Sequence, residues 1–426
     1  MKKKIVSVLL AGAMALSLAA CGSGDGGNTG GAAGAGDATQ DAEVDYGSGT
    51  IKIWVAEQSV DFTKEQAQKF IDENEAYSGY DINVEAVGEG DAASNMITDV
   101  ASGADVFVFA QDQMARLVSA GAVSEIIGDY ADFVTENNDE GSVSASKMGD
   151  SIYAFPVTSD NGYFLYYDKN VISDPSTLEG IVADCEKAGK GFYMEVNNGW
   201  YMPAFFFGAG CTLTYDTDSD GNFTAIDATY ASQEGVEAMK AIVNLTKSTA
   251  FYNGSSVSNA TNAAAIVDGT WDASAAKELF GDGYACAKLP TFTVDGQTYQ
   301  MGGFGGFKLM GVKPQSDTGK ATVCLELAKY LTSAEVQVER YKAVAWGPSN
   351  LEAQKDESVQ ADEALSALNE QLQYTIPQGQ YPQGFWDLYT SLADDIIAGT
   401  YDNASDDQLM TALENYQATC ESYVTK

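Results

Sequence analysis

A two-lobed α/β architecture is what this sequence predicts, and three features point to it. From Thr50 onward, strand-like and helix-like stretches alternate, which implies a parallel sheet covered by helices. Roughly 377 residues follow position 49, more than one hydrophobic core usually supports, so the chain should divide into two lobes. The run Val106-Phe107-Val108-Phe109 is apolar without alternation, as expected of a strand buried on both faces.

The order of elements begins with a leader. Lys2, Lys3 and Lys4 precede the apolar stretch Ile5 to Leu18. That stretch is shorter than the ~20 apolar residues a bilayer span needs, so 1–20 reads as a secretory signal. Residues 21–49 are mainly Gly, Ala, Ser, Thr and Asp. Such a composition cannot bury enough surface to order itself and reads as a flexible linker. Ile51, Ile53 and Val55 then open a strand, and Phe62, Ala67, Phe70 and Ile71 suit one helix face. Tyr80 to Val87 reads as a second strand. Ala93, Met96, Ile97 and Val100 repeat at helical spacing. After the strand ending at Phe109, a helix carries Met114, Leu117 and Val118.

A second α/β region starts near Tyr163. It should contain a strand over 192–196, a helix over 235–247 and a short strand over 264–267, after which Thr270 can cap a helix. Strands return over 302–312 and a helix carries Cys324, Leu327, Ala328 and Leu331. The C-terminal part is helical, with Tyr389, Leu392 and Ile396, then Leu409, Leu413 and Tyr416. There is no internal repeat.

Composition excludes several chemistries. There is no histidine, which removes Ser-His-Asp and Cys-His catalysis and the usual His-containing zinc sites. The only arginines are Arg116 and Arg340, and carboxylate or phosphate ligands are usually gripped by arginine forks. A neutral ligand therefore fits better. The net charge of −38 repels nucleic acid and anionic lipid; spread along the chain, it serves solubility. Besides Cys21 there are five cysteines, with no CxxC spacing, so most should be small buried residues rather than a disulfide framework.

In open parallel sheets, ligands bind beyond the carboxyl ends of strands. Glu57 and Gln58 follow the first strand there, Gln111, Asp112 and Gln113 the third, and Trp271 and Asp272 the strand ending at Val267. Each has a plainer reading, as loop residue, helix-terminus charge or core ring. Sugars combine apolar C–H faces with hydroxyl edges, which suit aromatic rings beside carboxylates and amides. With 5 Trp and 23 Tyr in the chain, Trp200, Trp271 and Trp386 are the candidate stacking rings. Trp54 lies within a strand and reads as packing.

Taken in order, several segments resemble a known family. Leu18-Ala19-Ala20-Cys21 is similar to the lipobox of bacterial lipoproteins, which implies acylation of Cys21 and anchoring to the outer face of the cell membrane. Ile51-Lys52-Ile53-Trp54, Ala104 to Asp112 with Leu117 to Gly121, Ile152 to Val157 with Leu165 to Lys169, Asp268-Gly269-Thr270-Trp271, Leu289 to Phe292 and Phe385-Trp386 resemble the extracellular solute-binding proteins of carbohydrate ABC importers, of the maltose- and maltodextrin-binding type. The resemblance implies a periplasmic-binding-protein-like type II fold. Lobe 1 would comprise 50–158 plus 304–356, and lobe 2 159–303 plus 357–426, with a ligand cleft between them. It implies sugar stacking by Trp271 and Trp386, hydroxyl binding by Asp112, and a polar first-loop position at Glu57 or Gln58. Phe109, Gln113 and Asn161 depart from the family's Trp, Arg and carboxylate, and Trp200 lies near an aromatic position. The resemblance further implies a monomer that binds a neutral oligosaccharide, maltodextrin first, by hinge closure and delivers it to the importer's membrane subunits, with no catalytic residue and no cofactor.

Other readings stay open: another oligosaccharide or polar neutral solute, a secreted glycoside hydrolase working through paired carboxylates, or a surface adhesion protein. Asp216, Asp218, Asp220 and Asp227, with Gly221, resemble a calcium loop; the alternative is an acidic hairpin turn.

Overall fold

The computed structural model describes residues 46–218 and 221–424. The leader, Cys21, the spacer as far as residue 45, and Asp220 lie outside the described residues. The folded body already includes Tyr46, four residues earlier than composition suggests. The Tyr46 carbonyl accepts a hydrogen bond from the Tyr80 hydroxyl at 2.6 Å, and its ring meets Tyr77 edge-on at 5.0 Å.

Strand Gly49–Val55 lies parallel to both Tyr80–Ala86 and Val106–Ala110. Two longer strands, Phe155–Asp168 and Phe304–Val312, run antiparallel to each other, with Gly305 opposite Gly162, Gly306 opposite Asn161 and Lys308 opposite Thr158. They form a ribbon shared by two groups of strands. On one side Phe304–Val312 pairs with Val106–Ala110. On the other, Phe155–Asp168 pairs with Ala263–Gly269 and Tyr284–Ala287, and the sheet continues through Gly191–Tyr193 to Phe251–Tyr252.

Side chains alternate across each strand, so every half has a core on both faces. Ile51, Ile53, Val106, Val108 and Met310 pack with Leu327 and Leu331. Trp54, Phe107, Phe109 and Leu309 pack on the opposite face with Met96, Met114 and Leu117. In the other half Leu165, Phe192 and Val267 pack with Ile242, Phe385 and Leu413, while Phe164, Tyr166 and Ile266 face Ala276 and Leu368. Cys185, Cys211, Cys324 and Cys420 are free and buried within these layers. Among the described residues no helix is long and apolar enough to cross a membrane.

Helices Thr318–Leu331 and Ala334–Val344 cover the first half. The chain then returns through Trp346 to Asp362 and reaches Glu363–Leu372, which packs on the second half. Ile376–Pro377 pairs with Phe304 and Gly305, and helices Gln383–Ile397 and Asp406–Glu421 finish the second half. Helix starts follow their caps: Asp317 accepts from the Lys320 N–H at 2.8 Å, and Ser405 and Gln408 form a reciprocal capping box, which satisfies otherwise orphaned N–H groups.

Two local expectations differ. The strand expected over 192–196 is the shorter Gly191–Tyr193, because the chain turns away once its pairing with Phe251–Tyr252 ends. Thr270 does not cap the following helix. Its hydroxyl instead donates to Asp160 at 2.6 Å, a buried partner from the ribbon that outcompetes a local cap.

Candidate functional site

Val106–Ala110 and Ala263–Gly269 flank the ribbon on its two sides, with Ala110 opposite Lys308 and Gly269 opposite Tyr163. Gly49–Val55 lies one strand further out, beside Val106–Ala110, and Tyr80–Ala86 beyond it. Glycines let neighbouring chain come close to the ribbon. A Cβ at Gly162 would sit 2.9 Å from Leu368, one at Gly305 2.6 Å from Thr375, and one at Gly306 2.7 Å from Gln378.

Phe304, where the second ribbon strand begins, gathers one aromatic group. Trp200 stacks on it at 5.2 Å and 17°, and Trp386 meets it at 5.9 Å. Tyr163 stands edge-on to Trp200 at 5.8 Å, and Tyr381 lies 5.4 Å from Trp386. Gly199 lies against the Trp386 ring, where a Cβ would meet it at 3.1 Å. Trp200 and Trp386 both remain partly exposed, so neither ring is fully consumed by packing.

Polar groups border this cluster. Gln111 donates through its amide to the Gln378 carbonyl, and Asn161 donates to the Gln378 side chain at 3.2 Å. The Gln380 amide bonds the Gln111 carbonyl at 2.8 Å while its oxygen accepts from the Ala115 N–H. Arg116 donates to Gln383 at 2.7 Å. The segment 378–383, which leads into the helix bearing Trp386, is thereby tied to the end of Val106–Ala110. Asp112 is buried. Burial pushes its carboxyl up to about 7, against smaller opposing effects of its own backbone N–H and Arg116. Asp112 Oδ1 and Gln111 Oε1 are buried with no hydrogen-bond partner among the described residues. Buried polar atoms are normally satisfied, so these two oxygens, at a strand end that the 378–383 segment ties to the Trp386 helix, lack a partner that a polar guest would supply.

Trp271 falls in a different group. It stands in the turn Thr270–Asp272, 5.5 Å from the ammonium of Lys308. That ammonium lies 3.9 Å from the Trp346 ring centre and 3.8 Å from a Glu89 oxygen. Asp160 is buried beside them. It accepts from the Thr270 hydroxyl and from the Gly347 N–H, both at 2.6 Å, so one carboxyl pins the ribbon to a loop on each side.

A cavity of about 1120 Å³ opens against the ribbon at Ser159, Asp160, Gly305 and Gly306, and its wall includes Gln111 and Gln378. Trp200, Trp271 and Trp386 do not line it. Its size suits a ligand, and Gln111 and Gln378 join its wall to the segment that leads to Trp386. The candidate site therefore takes in this wall and the neighbouring aromatic groups.

Of the residues singled out from sequence, Gln111, Asp112, Asn161, Trp200 and Trp386 border one neighbourhood, and Trp271 belongs to the adjacent one. Glu57 and Gln58 are exposed in the turn after the first strand. Phe109 is fully buried in the core. Gln113 is structural: its amide donates to the carbonyls of Glu89 and Gly90, and its oxygen accepts from Ala93. Trp54 packs as expected and donates to Glu85 at 2.9 Å. Sequence reasoning missed Asp160, Lys308 and Glu89. A lone lysine within the apolar run Phe304–Val312 was an available signal.

The acidic loop joins strands Leu213–Thr217 and Phe223–Ala228 as a hairpin. Asp218 accepts from the Asn222 N–H at 2.9 Å. Among the described residues no group of three or more acidic or cysteine side chains could hold a metal; Asp220 lies outside them.

Residues 65–367 match the family described as bacterial extracellular solute-binding protein. The galactooligosaccharide-binding protein of Bacillus subtilis (strain 168) is 23% identical over 406 residues, covering 90% of this chain and 89% of that protein. Among solved structures, the maltodextrin-binding protein MalE1 of L. casei BL23, without ligand, is similar at a TM-score of 0.74 and 24% identity, over 88% of this chain and 99% of that one. The maltose-maltodextrin binding protein of Alicyclobacillus acidocaldarius is similar at 0.71 and 20% identity, over 87% of this chain and all of the other. The fold is thus that of the type II periplasmic binding proteins.

Proposed function

From the premise that this chain belongs to the bacterial extracellular solute-binding proteins, we propose that it captures a neutral oligosaccharide, with maltodextrin the first candidate, and presents it to the membrane subunits of an ABC importer. The observation that carries this reading is a partly exposed indole pair, Trp200 and Trp386 on Phe304, beside a segment tied to a strand end where Gln111 and Asp112 each keep a buried oxygen without a hydrogen-bond partner. A pyranose offers a C–H face to the rings and hydroxyls to the amide and carboxyl groups. Relatives that bind maltodextrin and galactooligosaccharide support the ligand class.

In this reading the two ribbon strands act as the hinge, with Gly162, Gly305 and Gly306 absorbing the change. A ligand that touches both halves favours the closed state by its extra contacts there. The protein makes and breaks no bond. The family is extracytoplasmic, and a lipid on Cys21 would hold the monomeric body at the outer face of the membrane.

The test is a thermal-shift screen of the purified protein against maltodextrins, galactooligosaccharides and charged sugars. A binder at 100 times its Kd gains about 2.7 kcal/mol, which moves the melting transition upward. If no oligosaccharide moves it at millimolar concentration, the reading fails.

A further inference from the structure

Resting on that reading, we infer that Lys308 and Glu89 form a clamp for a pair of neighbouring hydroxyls on the sugar ring seated at Trp271. Lys308 is 5% exposed, yet among the described residues its ammonium has one charged neighbour, Glu89, at 3.8 Å, and no hydrogen-bond acceptor. That separation is about 1 Å longer than a charge-assisted hydrogen bond of ~2.8 Å. Glu89 Oε1, the oxygen that faces the ammonium, is itself buried without a hydrogen-bond partner, as is the indole N–H of Trp346. A donor, an acceptor and a second donor thus lack hydrogen-bond partners in one buried cluster, with the ammonium 5.5 Å from the Trp271 ring centre.

The surroundings hold this arrangement in place. Lys308 is fixed by the ribbon, with its N–H on the Thr158 hydroxyl at 3.4 Å, and its ammonium rests on the Trp346 ring. The Glu89 carbonyl accepts from the Ala110 N–H at 3.3 Å and the Gln113 amide at 2.9 Å, which ties its loop to the end of a core strand. A hydroxyl accepts from an ammonium and donates to a carboxylate, so a vicinal diol satisfies both groups at once. A carboxylate ligand would meet Glu89 and an amine would meet Lys308, each as a like charge. Each ionised ligand would also gain one opposite charge, so the pair favours a neutral diol by satisfying both partners at once rather than by repelling charge.

The experiment is calorimetry on the full folded body with the tightest-binding member of a maltodextrin and galactooligosaccharide panel, and with monodeoxy analogues of it. Lys308→Met and Glu89→Ala should each weaken the parent sugar about 10- to 100-fold. One deoxy analogue should bind the wild type weakly and lose little further in either variant. Equal losses for the parent and for every analogue, or affinities within twofold of wild type, overturn the clamp. If Lys308→Met does not fold, Glu89→Ala, whose melting temperature is checked first, decides alone. A wild type that binds no sugar at all refutes the oligosaccharide reading itself and the clamp with it.

Discussion

Replacing Asp112 with asparagine should remove a pH dependence of stability. Burial raises the Asp112 carboxyl from 3.8 to about 7 in the folded protein. Between those values the native state holds a proton that the unfolded chain has released. The contribution of this group is therefore fully present below about pH 4 and is lost as pH rises through about 7. From pH 5 to pH 8 the loss spans two units below the folded value, at ~1.4 kcal/mol each, or about 2–3 kcal/mol. An asparagine side chain has the same shape and no proton to lose. The measurement is urea unfolding, followed by tryptophan fluorescence, at half-unit steps from pH 5 to pH 8. The stability of the Asp112→Asn variant relative to wild type should rise by that amount across the range, since other titrating groups are common to both. Two curves that stay parallel within about 0.5 kcal/mol would refute the claim that Asp112 is a desolvated acid.

Other substitutions test separate parts of the site. Trp386→Ala should weaken sugar binding about 10- to 100-fold by calorimetry, as loss of an aromatic anchor does, and Trp271→Ala should do so at its own subsite; unchanged affinity in either removes that ring from the site. Asp160→Ala should cost about 3–6 kcal/mol in urea unfolding, since it strands the Thr270 hydroxyl and the Gly347 N–H, two bonds worth ~1.5–3 kcal/mol each; a loss under about 1 kcal/mol would show that water replaces it. Glu57→Ala and Gln58→Ala, both exposed, should leave the melting temperature unchanged. If either lowers sugar affinity, the first loop moves onto the ligand.

The alternation of strands and helices was legible in the sequence because each element buries a face whose period is written locally: Val106 and Val108 go to one core, Phe107 and Phe109 to the other. The same logic located the strand ends, and with them Gln111, Asp112 and Trp271. It could not say which of these meet. Trp200 and Trp386 share a partner because Phe304 begins the ribbon between them, while Trp271 turns toward Lys308. Gln113 and Glu57 look alike as loop-end polar residues. One is consumed in holding the Glu89 loop, and the other stays in solvent.

What the sequence determined by itself was the class of fold and the exclusion of histidine chemistry, with an uncharged guest as its expectation, since composition and periodicity act residue by residue. The tertiary structure alone decided that Asp160 joins the ribbon to the loops at Thr270 and Gly347, and that Glu89 and Lys308 approach without closing a hydrogen bond. Those relations depend on the register between strands far apart in the chain, and a buried charge takes its meaning from the neighbours that register supplies.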